Sequence, residues 1–196
     1  MNVRALLARA SSVLALTALV GASTASAAAT SYKIDVVHSA VIFRIHHMGA
    51  GYTYGRFNDF GGTLAIDEEK PEASSVAVEV KVDSVDTNAA KRDAHLKSPD
   101  FFNAAQFPTI TFKSTAVKKN GDGAFDVTGD LTLHGVTKSV TVKMEKTGTG
   151  KDHEGNPVIG FEGTLTIVRS EYGMKGYLPN IGDEVRLTLA FEGIKQ

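Results

Sequence analysis

The side chains best suited to polar chemistry gather in one stretch, Asn88 to Val117, where Arg92, His95 and Leu96 fall at i, i+3 and i+4 of a short helical segment. That spacing gives one helix face a cation, an imidazole and an apolar anchor. Such a face could hold the polar end of a ligand. It could also supply an electrophile, Arg92, and a base, His95 or the more distant His47, for turnover of a small apolar substrate. Arg169, in Arg169-Ser170-Glu171-Tyr172, is a third candidate for a polar ligand head. For Arg92 beside Asp93, and for Arg169 beside Glu171, an ion pair that holds the helix or the last hairpin in place is an equal alternative.

The six histidines do not assemble a metal site by spacing. His46 and His47 are adjacent, and adjacent side chains on a strand point to opposite faces. His38, His95, His134 and His153 lie in four separate segments, the last in a glycine-rich turn that should face solvent. There is no His-Glu-x-x-His motif and no cysteine. No Gly-x-Ser-x-Gly elbow presents a nucleophile, and His38-Ser39 reads as a strand-entry turn whose hydroxyl satisfies loose backbone groups. Neither a catalytic residue, nor a metal, nor a cofactor is indicated.

The elements that must position these residues are strands. Val41, Phe43 and Ile45 alternate with Ile42, Arg44 and His46, and Val76 to Val82 alternate with Ala77, Glu79 and Lys81. Ile110 and Phe112 continue the pattern, followed by Val127, Leu131 and Leu133, then Val136, Val140, Val142 and Met144. Phe161, Leu165 and Ile167, and finally Val185, Leu187, Leu189 and Phe191, complete it. Each run has a single apolar face, as in an antiparallel barrel or sandwich wetted on one side. Turn signals stand at Asn120–Gly123, His134-Gly135, Gly148–Gly155 and Asn180–Asp183. Tyr52 to Ile66 reads as one bent element, with Gly55, Gly61 and Gly62 as bulge or kink positions. About eight strands result, joined by hairpins except at one helical insertion around residues 88–106. There, Asn88 is expected to cap a first helix, and Ser98-Pro99 to start a second. Phe101, Phe102 and Phe107 follow within seven residues, an aromatic plug or rim. The expected fold is an all-β, eight-stranded antiparallel barrel, whose bore can either fill with side chains or hold one slender ligand.

Length and charge narrow the class. The 196 residues suit one domain behind a processed leader. Arg4 and Arg9, the apolar run Val13–Val20 and the small-x-small Ala25-Ser26-Ala27 have the order of a signal peptide, with cleavage expected after Ala27 and Ala29 as the alternative. Residues 28–196 then form the mature domain, exported to the periplasm or secreted. Removing residues 1–27 takes away two arginines and no acids, which leaves 19 basic against 22 acidic groups, a net of −3. A mildly acidic surface speaks against nucleic acid as partner. Without cysteine the domain has no disulfides and no thiolate chemistry.

The motifs as a set resemble the YceI-like family of bacterial proteins. They are His38-Ser39-x-x-x-Phe43, His47-Met48-Gly49, Gly55-Arg56-Phe57, Arg92-Asp93-x-His95-Leu96, Ser98-x-Asp100-Phe101-Phe102 and Phe107-Pro108-Thr109-Ile110-x-Phe112-x-Ser114, then Gly129 to Lys138 and Arg169 to Gly173. They run in one consistent order from about Tyr32 to Gly193. The resemblance implies an extended lipocalin-like barrel, mostly periplasmic, that binds a polyisoprenoid lipid; together with the lack of an evident catalytic apparatus, the expected function is non-enzymatic sequestration or transport of an isoprenoid quinone or a prenyl phosphate. Strand phase combined with that fold puts Phe43, Ile45, Phe57, Phe60 and Leu64 on one side of an apolar lumen. Val78, Val80, Phe112, Leu131 and Leu133 would continue round it, then Phe161, Leu165, Ile167, Leu187 and Leu189, with Phe101 and Phe102 as a lid. Arg92, His95 and Arg169 would meet the polar head. Brief contact with a membrane or with quinone-using membrane proteins, and homodimers through an exposed edge strand, fit the same picture. Two rival functions stand beside it: a barrel hydrolase or isomerase, and a stress-related adaptor with a fully packed barrel.

Overall fold

The computed structural model describes residues 29–196. The expected leader, residues 1–27, lies outside that range. Eleven strand segments alternate along the chain: β1 (Thr30–Ile34), β2 (Ala40–His47), β3 (Gly51–Phe57), β4 (Phe60–Ile66), β5 (Ser75–Lys81), β6 (Val85–Asp86), β7 (Thr109–Lys119), β8 (Ala124–Leu133), β9 (Val136–Lys151), β10 (Pro157–Val168) and β11 (Ile181–Lys195). Every pairing between them is antiparallel. The first six segments join two by two into three bent strands: β1/β2 lies between β11 and β3/β4, β3/β4 lies between β1/β2 and β5/β6, and in the third strand β5 also pairs with β7 whereas β6 pairs with β3 alone. Eight strands therefore follow one another in chain order. β11 closes the ring, pairing with β10 along one edge and with β2 and then β1 along the other.

Closure puts one face of every strand into the bore. Val41, Phe43, Phe57, Leu64, Val78 and Val80 are buried there in one cluster, and Leu131, Leu133 and Ile167 with Tyr172 and Met174 in a second. The outward phase carries polar cross-strand pairs such as Thr128–Thr141, 2.9 Å apart, and Lys143–Asp126, 3.0 Å apart.

Several local expectations need correction. Gly55, Gly61 and Gly62 interrupt no register; the irregularities fall at Ser114/Ala116, Gly160/Phe161 and between Ile181 and Val185. Gly55 is instead a site of close approach, since a Cβ there would overlap the Phe43 ring. The bend from β3 to β4 lies at Asn58-Asp59. β9 runs through Gly148 and Gly150 to Lys151, so the turn before β10 is shorter than the glycines suggest. It is built on Asp152, which accepts from the N–H groups of Glu154 and Asn156.

One helix forms in the insertion, α1 (Ala90–Leu96). Asn88 does not cap it: Ala89 holds the N-cap position and Asn88 turns the chain at φ +59°, a conformation asparagine tolerates. Asp93 reaches back from the first turn to accept from the N–H and hydroxyl of Thr87. Ser98-Pro99 starts no second helix. The carbonyl of Ser98 accepts from Phe101 and Asn103, and Leu96 accepts from Phe102, which gives tight turns. A run this short makes too few helical bonds to offset the cost of nucleation, and the turns let Phe101 and Phe102 diverge to different partners.

Replacing Gly55 by alanine is expected to push Phe43 off its position and lower stability by about 1–3 kcal/mol, the range for overpacking a closed core. Urea unfolding of Gly55→Ala against the parent checks this, and an unchanged midpoint would contradict the packing.

Candidate ligand-binding site

The side chains that enter the bore do not fill it. Among the described residues it holds two adjoining apolar cavities, of about 290 Å³ and about 380 Å³. Small-molecule sites occupy roughly 300–1,000 Å³. The smaller, lower cavity runs between Leu64, Val78, Val80, Phe112, Phe161, Leu165 and Leu189 toward the β4–β5 and β7–β8 connections. The larger, upper cavity lies between Phe43, Ile45, Leu133 and Ile167 under the insertion. Phe57, Ile110, Leu131 and Leu187 border both, so they form a waist on one axis. Phe57 is the hub of this ring: its own ring lies 5.7 Å from Phe43 and 5.7 Å from Phe102.

The roof of the upper cavity is aromatic. Phe101 and Tyr177 stack with planes 3° apart and centroids 5.6 Å apart, and His95 meets both edge-on. His95 Nε2 is 2.9 Å from Asp100 Oδ2, which fixes the ring against the turn that carries Phe101. Arg92 makes no ion pair with Asp93. Its Nε donates to the Thr87 hydroxyl and its Nη2 to the Thr87 carbonyl, each at 2.7 Å. Two of the five guanidinium N–H groups are thus used, and the exposed side chain borders the upper cavity.

Arg169 is different in kind. It is 2% exposed and makes no bond to Glu171, which instead pairs with Lys138 at 2.9 Å. Its Nε donates to Gly182, Nη1 to Met174, and Nη2 to both Gly176 and Ile181, all backbone carbonyls at 2.7–3.0 Å. The guanidinium ties the loop 173–180 to the start of β11. Burial pulls its pKa below the ordinary value, opposed by the charge of Asp183. Asp183 is itself held below the usual carboxylate range, chiefly by the Ser170 hydroxyl. Arg169 borders the upper cavity with most of its donors already committed, so it is an architectural residue of the mouth.

Of the lumen residues expected from strand phase, all but one border a cavity. Phe60 does not: it packs in the wall, 6.3 Å from Phe191. Ile110, Val41 and Val76 line the bore without having been singled out, although their phase was legible. Thr87, Met174 and Tyr177 also line it, and they sit in irregular connections where no periodicity could have marked them. The lower opening was not foreseen either. Asp67, Glu68, Lys119, Asp122 and Lys146 surround it, and Lys146 Nζ lies 2.8 Å from Glu68. β9 and the β4–β5 connection stand on opposite sides of the eight-strand ring, so this ion pair crosses the opening.

Away from the bore, Asp35, His38 and Glu192 bring three potential metal-ligand atoms within 4.8 Å of one another, a grouping the segment-by-segment reading of the histidines did not anticipate. The atoms already serve each other: His38 Nδ1 is 2.6 Å from Asp35 and 3.8 Å from Glu192. Hydrogen bonding to Asp35 raises the His38 pKa, and the same bond lowers that of Asp35. Among the described residues His134 and Tyr172 carry buried polar atoms without partners, Nε2 and Oη, but neither residue borders either of these two cavities.

A closed antiparallel barrel whose apolar bore is roofed by aromatic side chains at one end and ringed by charged ones at the other defines a lipocalin-like barrel. Residues 32–193 match the YceI-like domain, and the chain belongs to that family. Protein YceI of Escherichia coli O157:H7 is 47% identical over 176 residues, 89% of this chain and 92% of that one. Among solved structures, BcnA of Burkholderia cenocepacia superposes with a TM-score of 0.75 at 26% identity, over 81% of this chain and 98% of that one. A domain from Saccharophagus degradans, described as polyisoprenoid binding, superposes at 0.66 and 17% identity, over 85% and 99%, a likeness of fold.

Two outcomes follow from these contacts. Arg169→Ala leaves four carbonyls without their donors and should destabilise the protein by at least about 3 kcal/mol, read by urea unfolding. His38 gains a partner on folding, so its contribution to stability is complete below its unfolded pKa and is lost as pH rises through the elevated folded value. The melting-temperature gap between the parent and His38→Gln should therefore narrow above neutral pH, and a gap that widens would contradict the pairing.

Proposed function

We propose that this chain is an exported, non-enzymatic binding protein whose barrel sequesters or ferries a polyisoprenoid, an isoprenoid quinone or a prenyl phosphate. The observation that carries this reading is the pair of apolar cavities aligned end to end, with Phe57, Ile110, Leu131 and Leu187 between them. Such a bore suits a long, thin, apolar tail better than a compact substrate. Burying the tail contributes about 25 cal/mol for each Å² removed from water. A polar head left buried without partners would cost several kcal/mol, and the N–H groups of Arg92 that Thr87 does not use, with His95 beside them, offer it partners at the upper mouth. The polyisoprenoid binding described for the Saccharophagus degradans neighbour supports the same ligand class. The charged start, apolar run and Ala25-Ser26-Ala27 of the leader support export to a compartment where such a lipid is nearly insoluble.

Protein purified without detergent from a bacterial periplasm should yield a stoichiometric isoprenoid in an organic extract analysed by mass spectrometry. Phe112 pairs with Val78 and Leu131 in the wall of the lower cavity. Phe112→Arg is expected to abolish that occupancy while circular dichroism stays that of the parent. Retained lipid in the folded variant would remove Phe112, and with it the proposed tail path, from the site.

A further inference from the structure

Among the described residues seven large apolar or aromatic side chains are exposed, and five of them lie at or beside the upper mouth: Met48, Tyr52, Tyr54, Tyr177 and Leu178, each 37–62% accessible. The turn that carries Met48 is fastened to the loop of Tyr177 and Leu178 by a 2.7 Å hydrogen bond from Met48 N–H to the Asn180 carbonyl. Tyr177 also belongs to the cavity roof, so this apolar rim is continuous with the lumen.

Cations flank the rim. Arg186, Arg44 and Tyr54 stand in one cross-strand row on the outer face of β11, β2 and β3, with His46 and Tyr52 in the row nearer the mouth and Arg56 in the row beyond. The Arg44 guanidinium lies 4.2 Å from the centre of the Tyr52 ring, and His46 packs on the same ring at 5.2 Å. The acids nearby are Asp86, opposite Arg56, and Glu184, two residues from Arg186 on the same face. Three arginines and a histidine thus share a face of a chain whose expected mature charge is negative.

We propose that this face docks the protein on the surface of an anionic lipid bilayer, with Met48, Tyr52, Tyr54 and Leu178 entering the headgroup layer and Arg44, Arg56 and Arg186 facing acidic headgroups. Tyrosine has an apolar body and a polar tip suited to that depth. Arginines close to an acidic bilayer add attraction that falls within a Debye length of the surface and is screened by salt. Docked this way, the upper mouth opens toward the leaflet. The purpose of the docking rests on the lipid-carrier reading, but its occurrence does not.

Co-sedimentation with vesicles that contain no isoprenoid separates the two. Purified protein should bind vesicles of phosphatidylcholine mixed with phosphatidylglycerol, bind those of phosphatidylcholine alone at least about tenfold more weakly, and lose the difference in high salt. The double variant Arg44→Glu, Arg186→Glu and, independently, Met48→Ser with Leu178→Ser should each reduce binding about tenfold or more. None of these four residues borders a cavity, so each variant should keep whatever lipid the parent copurifies with. Phe112→Arg should dock like the parent even if it carries no lipid. The absence of vesicle binding, binding indifferent to headgroup charge, or variants that bind as the parent would each overturn the proposal. So would a parent that elutes as a dimer and variants that elute as monomers with vesicle binding unchanged, since the face would then belong to a second copy.

Discussion

Closure of the sheet is the constraint on which everything else depends. β11 satisfies its backbone with β10 on one edge and with β2 and β1 on the other, which closes the eight-strand ring; open backbone remains along the stretch of β3 before Arg56 and on the far side of β6. A ring of this size forces the inward side chains of opposite strands to face one another across a fixed gap. Phenylalanines and aliphatics of ordinary length do not span it everywhere. Two cavities are the geometric remainder, and the polar groups of the chain are displaced to the two ends.

The parts of this design visible in the sequence are those with a period. Alternation of two residues in β2, β5, β8 and β11 is enough to separate wall from bore, and it carries Phe43, Val78, Leu131 and Leu187 to their places. Contacts that depend on how distant segments meet have no such signature. Arg169 has an acidic neighbour at Glu171, yet the fold surrounds it with carbonyls from 174–182 and hands Glu171 to Lys138. Arg92 likewise turns from Asp93 to Thr87 because the chain reverses just before α1. Glycine is ambiguous for the same reason: at Gly55 it answers to the Phe43 ring across the pair and not to a bulge in its own strand.

The two ends of the bore are built by different means. At the upper end a helix, a set of tight turns and the loop before β11 lean together through stacked rings, and Arg169 holds that loop from beneath. Among the described residues the lower end has no comparable lid, and the ion pair Lys146–Glu68 spans the opening. With Glu68 exposed and Lys146 half-buried, a single pair of this sort contributes on the order of 1 kcal/mol. The barrel is therefore well secured at one end and lightly fastened at the other, with the aromatic and cationic face beside the secured end.

The waist of Phe57, Ile110, Leu131 and Leu187 makes the bore a gauge of thickness more than of length. A molecule confined to one half can be as broad as that half allows. One that occupies both must be narrow where it passes Phe57, whatever its extent beyond, and must be free to bend about that point. A flexible chain of single bonds and isolated double bonds adapts to such a passage more readily than a rigid fused-ring system.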